Sequence, residues 1–256
     1  MDIMFLGTCA CDYSPLLETT YKDVFDKNAR RSSCALVGGR YLIDCGYHCL
    51  EELRIAKINP AQITDIFVTH LHSDHYNAEH IRYIASIGER VLRVWVREDA
   101  KTPDIPNVEW HYMHKATPYT VDENLRITGL PANHDENFYP QHLLLELKGR
   151  KIFYALDGAW FLHETYYALR GAKLDLLVLD CTCGDYEGDF RMGEHNSIPM
   201  IRLMLPSLKG WGTIAENTQV YVTHLAPSLH KSHEETVQIL QKDGVCVAYD
   251  GLGLTI

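Results

Sequence analysis

The sequence lacks the features that would place the protein in a membrane or outside the cell. No stretch approaches the ~20 apolar residues that a bilayer-spanning helix needs. The opening residues, MDIMFLGTCACDYSP, carry no basic segment before their short apolar run, so a secretory signal is not expected. Eight cysteines in 256 residues are too sparse for a disulfide framework and fit reduced core residues. We therefore predict a cytoplasmic protein.

Positive charge is also scarce. The chain has 24 Lys and Arg against 34 Asp and Glu, a formal net charge of −10. Proteins that hold long nucleic acids draw much of their affinity from Lys and Arg at the phosphates, so this balance disfavours such a partner. The chain has no internal repeat, low-complexity tract or linker. The expectation is therefore one domain over residues 1–256.

Strand-like and helix-like hydrophobic patterns alternate along the chain, which predicts an α/β fold. Gly38 and Gly39 lie between two β-rich runs, as in a hairpin. A buried strand at 65–69 runs into a histidine-rich segment, and a helix at 78–87 follows it. Further helices are predicted at 195–205 and, as a short piece of the first long loop, at 22–28.

The histidine-rich segment, HLHSDH, is the strongest chemical signal in the sequence. Side chains two residues apart on an extended strand end point the same way, so His70 and His72 can reach one metal ion. Asp74 and His75 follow the turn and can face a second ion beside the first. The simpler alternative is a polar loop in which Asp74 or Asn77 caps the next helix. Capping requires one such residue, however, and does not require three histidines.

With this motif, the sequence resembles the metallo-β-lactamase-fold hydrolases along nearly its whole length. Four further segments carry the likeness in the family's order, each at the end of a predicted strand: LIDCG with Asp44, PANH with His134, YALDGAW with Asp157, and VTHLAP with His224. Taken singly, His134 and His224 would more often be ordinary, partly buried histidines. The resemblance implies a metallo-β-lactamase fold, which is an α/β structure built as a four-layer αββα sandwich.

The resemblance also implies the roles of these residues in a site for two divalent metal ions. The residues implied for the first ion are His70, His72 and His134. The residues implied for the second ion are Asp74, His75 and His224. Asp157 is implied to bridge the two ions, and Asp44 to orient a ligand histidine. The familiar true β-lactamases have a cysteine where Asp157 stands, so lactam hydrolysis is disfavoured.

Within this family, the sequence is most similar to the PhnP-type phosphodiesterases, which are related to tRNase Z. The shared segments are FLGT, GGRYLIDCG, GEHNS and VAYDGLGLTI. The resemblance implies that His195, in GEHNS, binds or protonates the leaving oxygen of the substrate. The plainer alternative is a solvent-exposed residue at the start of the helix at 195–205.

Two departures from these relatives stand out. PhnP-type proteins often carry an extra zinc site made of early cysteines and a late histidine, whereas here Pro227 stands at the place of that histidine. An extra site would need a rearranged set, drawn from Cys9, Cys11, Cys34 and either His230 or His233. The Gly/Pro-rich basic arm with which tRNase Z holds tRNA is also missing, which favours a small, possibly cyclic phosphodiester as substrate.

The function implied is hydrolysis by a hydroxide that bridges two metal ions, zinc first, with manganese or iron as alternatives. Asp74 is expected to accept the proton of the nucleophile, and His195 to assist the leaving group. Relatives of this type are commonly dimers, so the resemblance allows a homodimer, while the sequence itself leaves the oligomeric state open. Two alternatives stay open: a thioester or lactone hydrolase of the same fold, and a metal-binding regulatory protein without turnover. A flavo-diiron redox enzyme is a weaker rival, since the chain has no length for a flavin domain.

Some residues allow two interpretations at this stage. Phe138, Tyr139 and Trp160 either line the mouth of the active site or pack as core and rim residues. The basic residues Arg30, Arg31 and Lys115 either contact phosphate or belong to the solvated surface.

Overall fold

The computed structural model describes residues 2–256 and contains two seven-stranded β-sheets. In chain order the strands are β1 (Ile3–Gly7), β2 (Cys34–Val37), β3 (Tyr41–Ile43), β4 (Asp65–Phe67), β5 (Leu92–Arg97), β6 (Val108–Met113), β7 (Pro118–Thr120), β8 (Leu125–Pro131), β9 (Gln141–Leu147), β10 (Arg150–Ala155), β11 (Leu174–Asp180), β12 (Ile214–Thr223), β13 (Cys246–Val247) and β14 (Leu252–Leu254). The helices are α1 (Cys49–Ile55), α2 (Ala78–Ile87), α3 (His163–Leu169), α4 (Ile198–Gly210) and α5 (His233–Gln241).

Each sheet mixes antiparallel and parallel pairs. The first sheet has the spatial order β14-β1-β2-β3-β4-β5-β6, and the second has the order β13-β12-β11-β10-β9-β8-β7. Strands β3 to β6 are parallel to one another, as are strands β10 to β13. The carboxyl ends of parallel neighbours meet at one edge of a sheet, so the loops that follow these strands are brought together there.

Three apolar layers hold the two sheets and the helices together. Side chains from both sheets, including Phe67 of β4 and Leu145 of β9, form the central layer. Leu53 of α1 and Ile81 of α2 pack on the outer face of the first sheet. Leu208 of α4, with residues of α3 and α5, packs on the outer face of the second. This arrangement is the αββα sandwich that the sequence resemblance implied.

Several local predictions can be compared with the observed elements. The hairpin is confirmed, with Gly38 and Gly39 both in the left-handed region between β2 and β3. Helix α2 has the predicted bounds, and the Asn77 side chain caps it by accepting hydrogen bonds from two backbone amides. The helix predicted at 22–28 is wrong, because those residues form turns and bends. The helix predicted to start at His195 instead starts at Ile198.

The shift of that helix start has a local cause. The Ser197 hydroxyl accepts a hydrogen bond from the Met200 backbone amide and so caps α4, with a proline in the first turn. His195 therefore lies in the segment before the helix. Among residues 2–256, no helix is long and apolar enough to span a membrane.

We predict that the two-sheet interface supplies a large share of the stability. Leu145→Ala should lower the free energy of unfolding by about 3 kcal/mol, because it leaves a cavity in the fully buried central layer. Leu203→Ala is the matched control, since Leu203 on α4 is 69% exposed and should cost less than about 0.5 kcal/mol. Urea unfolding followed by circular dichroism measures both. Equal losses in the two variants would contradict this account of the core.

Candidate metal centre

The histidine-rich segment is anchored to the first sheet through the Asp44 carboxylate. Asp44 follows β3 in a left-handed conformation and is fully buried. Its Oδ1 accepts hydrogen bonds from the Thr69 backbone amide at 2.7 Å and the Thr69 hydroxyl at 2.9 Å. Its Oδ2 lies 2.7 Å from His75 Nδ1, which donates to it. Asp44 thus sets both the start of the segment and the tautomer of His75, leaving the other ring nitrogen as a donor for metal.

A glycine lets the two loops come together. A Cβ atom on Gly46 would lie 1.8 Å from the Asp74 carbonyl oxygen, a distance that no side chain could occupy. Next to it, the Cys45 backbone amide donates to the His75 carbonyl at 2.8 Å. The loop after β3 and the loop after β4 are therefore held in backbone contact.

Three histidines form the first group of donors. His72 Nδ1 lies 2.9 Å from His70 Nε2 and 3.1 Å from His134 Nε2. The three donor atoms lie within 4.8 Å of one another. Donors around one tetrahedral zinc ion lie roughly 3.3 Å apart, given the length of Zn–N bonds, so this group has the size of a metal site.

The second group consists of Asp74, His75 and His224, whose donor atoms also lie within 4.8 Å of one another. His75 Nε2 is 3.1 Å from His224 Nε2 and 3.3 Å from Asp74 Oδ2. His224 follows β12, whereas the other two residues follow β4. The group therefore joins the two sheets.

Asp157 lies between the two groups. Its Oδ2 is 2.9 Å from His75 Nε2 and 3.2 Å from His224 Nε2, and its Oδ1 is 3.9 Å from His134 Nε2. The residue has a left-handed backbone at the end of β10. Its Oδ2 is buried and has no hydrogen-bond partner among the described residues. A buried carboxylate oxygen without a partner, facing imidazole nitrogens, fits a metal ligand.

The electrostatics of the donors suit cations. Burial lowers the pKa of His70 and of His72, so both rings are neutral and have a lone pair to offer. Burial alone would raise the pKa of Asp74 and of Asp157, but the neighbouring histidines hold both well below the usual range. His70 and His72 therefore offer neutral nitrogen and the two aspartates offer anionic oxygen, a donor set that zinc, manganese and iron accept.

His195 lies beside the two groups and is held by Asp180, a residue that the sequence reasoning missed. His195 Nδ1 lies 2.7 Å from Asp180 Oδ2 and 3.7 Å from Asp157 Oδ1. Burial disfavours the charged ring, but the Asp180 carboxylate outweighs it and raises the pKa of His195 to about 9. Asp180 is the last residue of β11, and the candidate metal ligands likewise follow the ends of other strands. This shared position at a strand end is the signal by which the sequence could have indicated Asp180.

Thr182 connects His195 to the second group. Its Oγ1 is 2.7 Å from His224 Nδ1 and 3.0 Å from the His224 carbonyl oxygen. The hydroxyl donates to the carbonyl and accepts from Nδ1–H, which leaves His224 Nε2 as the free donor. The same hydroxyl is 3.2 Å from His195 Nδ1. Thr182 therefore sets the tautomer of His224 and also contacts His195.

The rearranged cysteine site is not assembled. Every group of close donor atoms found in residues 2–256 consists of histidine and aspartate alone. Cys9 and Cys34 are buried, whereas Cys11 is exposed. His230 donates to the Cys181 carbonyl, and His233 accepts from Arg30.

The remaining sequence candidates divide between the site and the scaffold. The Phe138 ring lies 3.8 Å from the His72 ring, so it lines the site. Arg30 and Arg31 are buried and bind protein partners, so the interpretation as solvated surface residues is wrong: Arg30 donates to Thr8, and Arg31 pairs with Glu51. Lys115 pairs with Glu164 on the surface.

Comparisons with known proteins agree with this architecture. Residues 39–242 match the model of the beta-lactamase superfamily domain. A ribonuclease Z of Methanothermobacter thermautotrophicus is 36% identical over 77 residues, which are 29% of this chain and 21% of that protein. The zinc phosphodiesterase ELAC protein 1 of Bos taurus is 36% identical over 80 residues, or 30% of this chain and 18% of that protein. The matched segment thus spans about a fifth of these relatives.

Solved structures share the fold over nearly the full length of the chain. Zn(2+)-bound PqqB from Methylobacterium extorquens superposes with a TM-score of 0.74 at 15% identity, covering 100% of both chains. Human tRNase Z, short form, gives a TM-score of 0.69 at 19% identity, covering 100% of this chain and 99% of that one. With the two sheets, the matched superfamily model and these neighbours, the chain belongs to the beta-lactamase superfamily and adopts the metallo-β-lactamase fold.

Proposed function

We propose that the protein is a metal-dependent phosphodiesterase that acts on a small phosphodiester. The observation that carries the proposal is the position of His195, which Asp180 holds 3.7 Å from Asp157 at the edge of the donor groups. An alkoxide leaving group needs a proton, and a protonated imidazole beside the reacting centre supplies it. A thiolate leaves without being protonated, so a thioester hydrolase would not need the pair of His195 and Asp180.

The donor groups would hold two divalent ions, with Asp157 shared between them. Zinc is the first candidate, because one relative is named a zinc phosphodiesterase and one structural neighbour is zinc-bound. Manganese and iron also accept this donor set. When bound, such ions supply Lewis acidity to the phosphoryl group and a hydroxide nucleophile near neutral pH.

The chain's own residues would then orient the substrate and move protons. His195 donates Nδ1–H to Asp180, so its Nε2–H is the proton available to the leaving oxygen. Asp74 as the acceptor of the nucleophile's proton stays a prediction. The histidines that hold its pKa low favour Asp74 as an anionic ligand over Asp74 as a base.

Hydrolysis of RNA is the second candidate, because several relatives are named ribonuclease Z. Two features favour a small substrate instead. The net charge is −10, and the exposed Glu194 carboxylate lies 3.8 Å from His134 Nδ1 at the edge of the site. A phosphate backbone extending from the site would meet these negative charges.

We predict that the purified protein, loaded with zinc, contains about two ions per chain and hydrolyses bis-p-nitrophenyl phosphate. His72→Ala and Asp157→Ala should reduce both the metal content and the activity, because they remove donors from the groups. Mass spectrometry of the bound metal and release of p-nitrophenol measure this. His163→Ala on α3, an exposed histidine, is the control and should behave as the unaltered protein. Two retained ions in both donor variants would refute the assignment.

We predict that Asp44→Asn weakens zinc binding by about 10- to 100-fold without unfolding the protein, because His75 loses its charged partner. Competition with a chromophoric chelator measures the affinity. Asp65→Asn is a matched control: Asp65 is equally buried in the first sheet, but its partners are Arg93 and Trp95. If the two variants lose the same affinity, Asp44 acts only through general stability.

We predict that the effect of His195→Ala depends on the leaving group. For diesters with an alkoxide leaving group, kcat/KM should fall by roughly 10²- to 10⁴-fold, whereas p-nitrophenyl diesters should lose far less. Asp180→Asn should follow the same trend with a smaller loss, since it removes the partner of His195. Thioester substrates provide the contrast. Thioester turnover that exceeds diester turnover, with no effect of His195→Ala on either, would favour the alternative hydrolase.

A further inference from the structure

A second recess opens beside the donor groups. It has a volume of about 400 Å³, and its walls include Tyr13 and Leu17 of the first long loop, Tyr47 and His48 of the loop after β3, and Ser73. Ser73 stands between His72 and Asp74 in the chain. The recess is therefore adjacent to the candidate metal centre, yet none of the donors discussed above lines it.

Aromatic rings in a fixed arrangement form its surface. The rings of Tyr13 and Tyr47 are nearly parallel, with an interplanar angle of 14° and centroids 6.2 Å apart. Both stand on edge to His48, with centroid distances of 4.5 and 4.9 Å. Tyrosine rings at this spacing are in contact with each other, so the ring of a ligand cannot insert between Tyr13 and Tyr47. Tyr47 is 58% exposed, and it offers a ring surface to a ligand.

His48 adds one neutral hydrogen-bond donor to this surface. Its Nδ1 accepts the Ser32 backbone amide at 3.1 Å, and its own backbone amide donates to the Ser32 hydroxyl. Burial lowers the pKa of His48 to about 4, so the ring is neutral at pH 7 and its hydrogen is on Nε2. Nε2 has no hydrogen-bond partner within residues 2–256 and is accessible to solvent, so a ligand can reach it.

We propose that this recess binds the heteroaromatic base of a nucleotide substrate, with the base stacked on Tyr47, an acceptor atom of the base bound by His48 Nε2–H, and the phosphodiester facing the donor groups. The proposal rests on the phosphodiesterase function and names its substrate class. A flat ring with an acceptor matches an aromatic surface with one neutral donor. A phosphate would gain no cation here and would meet the Glu18 carboxylate, which also lines the recess.

Two esters with the same leaving group test the proposal: thymidine 5′-p-nitrophenyl phosphate, which carries a base, and methyl p-nitrophenyl phosphate, which does not. Tyr47→Leu should raise KM for the thymidine ester by about 10-fold, a value within the range for loss of one base–aromatic stack. The methyl ester should change by less than about twofold. Tyr47→Phe should retain the base preference, because it keeps the ring. Tyr83→Leu, at another half-exposed tyrosine, is the matched control.

A binding measurement separates this proposal from the proposed function. Calorimetry on the zinc-loaded protein compares thymidine 5′-monophosphate with methyl phosphate, in the unaltered protein and in Tyr47→Leu. The base site is supported if the unaltered protein binds the nucleotide more tightly than methyl phosphate and Tyr47→Leu loses this preference. This result would stand even if neither ester were hydrolysed and the phosphodiesterase function failed. Equal binding of both ligands to the unaltered protein, or an equal loss for both ligands or esters in Tyr47→Leu, would overturn it. Unchanged thermal unfolding verifies that the variant is folded.

Discussion

The buried carboxylate of Asp44 is the interaction on which the site depends. It accepts hydrogen bonds from the backbone and hydroxyl of Thr69 and from the ring of His75, and so connects the end of β3 to both ends of the histidine-rich loop. A buried charge is tolerated only where such donors surround it. The close approach at Gly46 then brings the Asp74 backbone against the same loop. Without this connection, the donors that follow β4 would lose the carboxylate that orients His75 and holds the start of their loop.

The sandwich brings the second sheet to the same place. His134, Asp157 and His224 each follow a different strand of that sheet, and the central apolar layer holds those strand ends opposite the loop after β4. This arrangement concentrates negative charge in a buried region, which is unfavourable unless it is compensated. The carboxylates of Asp44, Asp74, Asp157 and Asp180 are all buried there. Under the proposed function, two divalent ions would offset this charge. The acidity of the whole chain is therefore compatible with a phosphate substrate in the cleft.

Much of the architecture could be predicted from local patterns. The hairpin at Gly38 and Gly39 and helix α2 follow from turn chemistry and hydrophobic period, which depend on neighbours in the chain. The start of α4 was predicted less accurately than these elements. The helical pattern in the sequence begins at His195, whereas the Ser197 cap makes the helix start at Ile198. Arg30 and Arg31 resemble surface residues in the sequence. They are buried because partners distant in the chain, such as Thr8 and Glu51, reach them.

The order of residues in the sequence shows the dense motif of His70, His72, Asp74 and His75, and the resemblance to a known family implied the other three donor candidates and the αββα class. Tertiary structure decided the rest. The pairing of Asp180 with His195 depends on how the chain returns after β11, and the recess beside Ser73 requires three separate loops to meet. Such contacts join residues that share no spacing or periodicity in the sequence. They arise where segments that follow strands of the same sheet fold against one another, and no local pattern encodes those contacts.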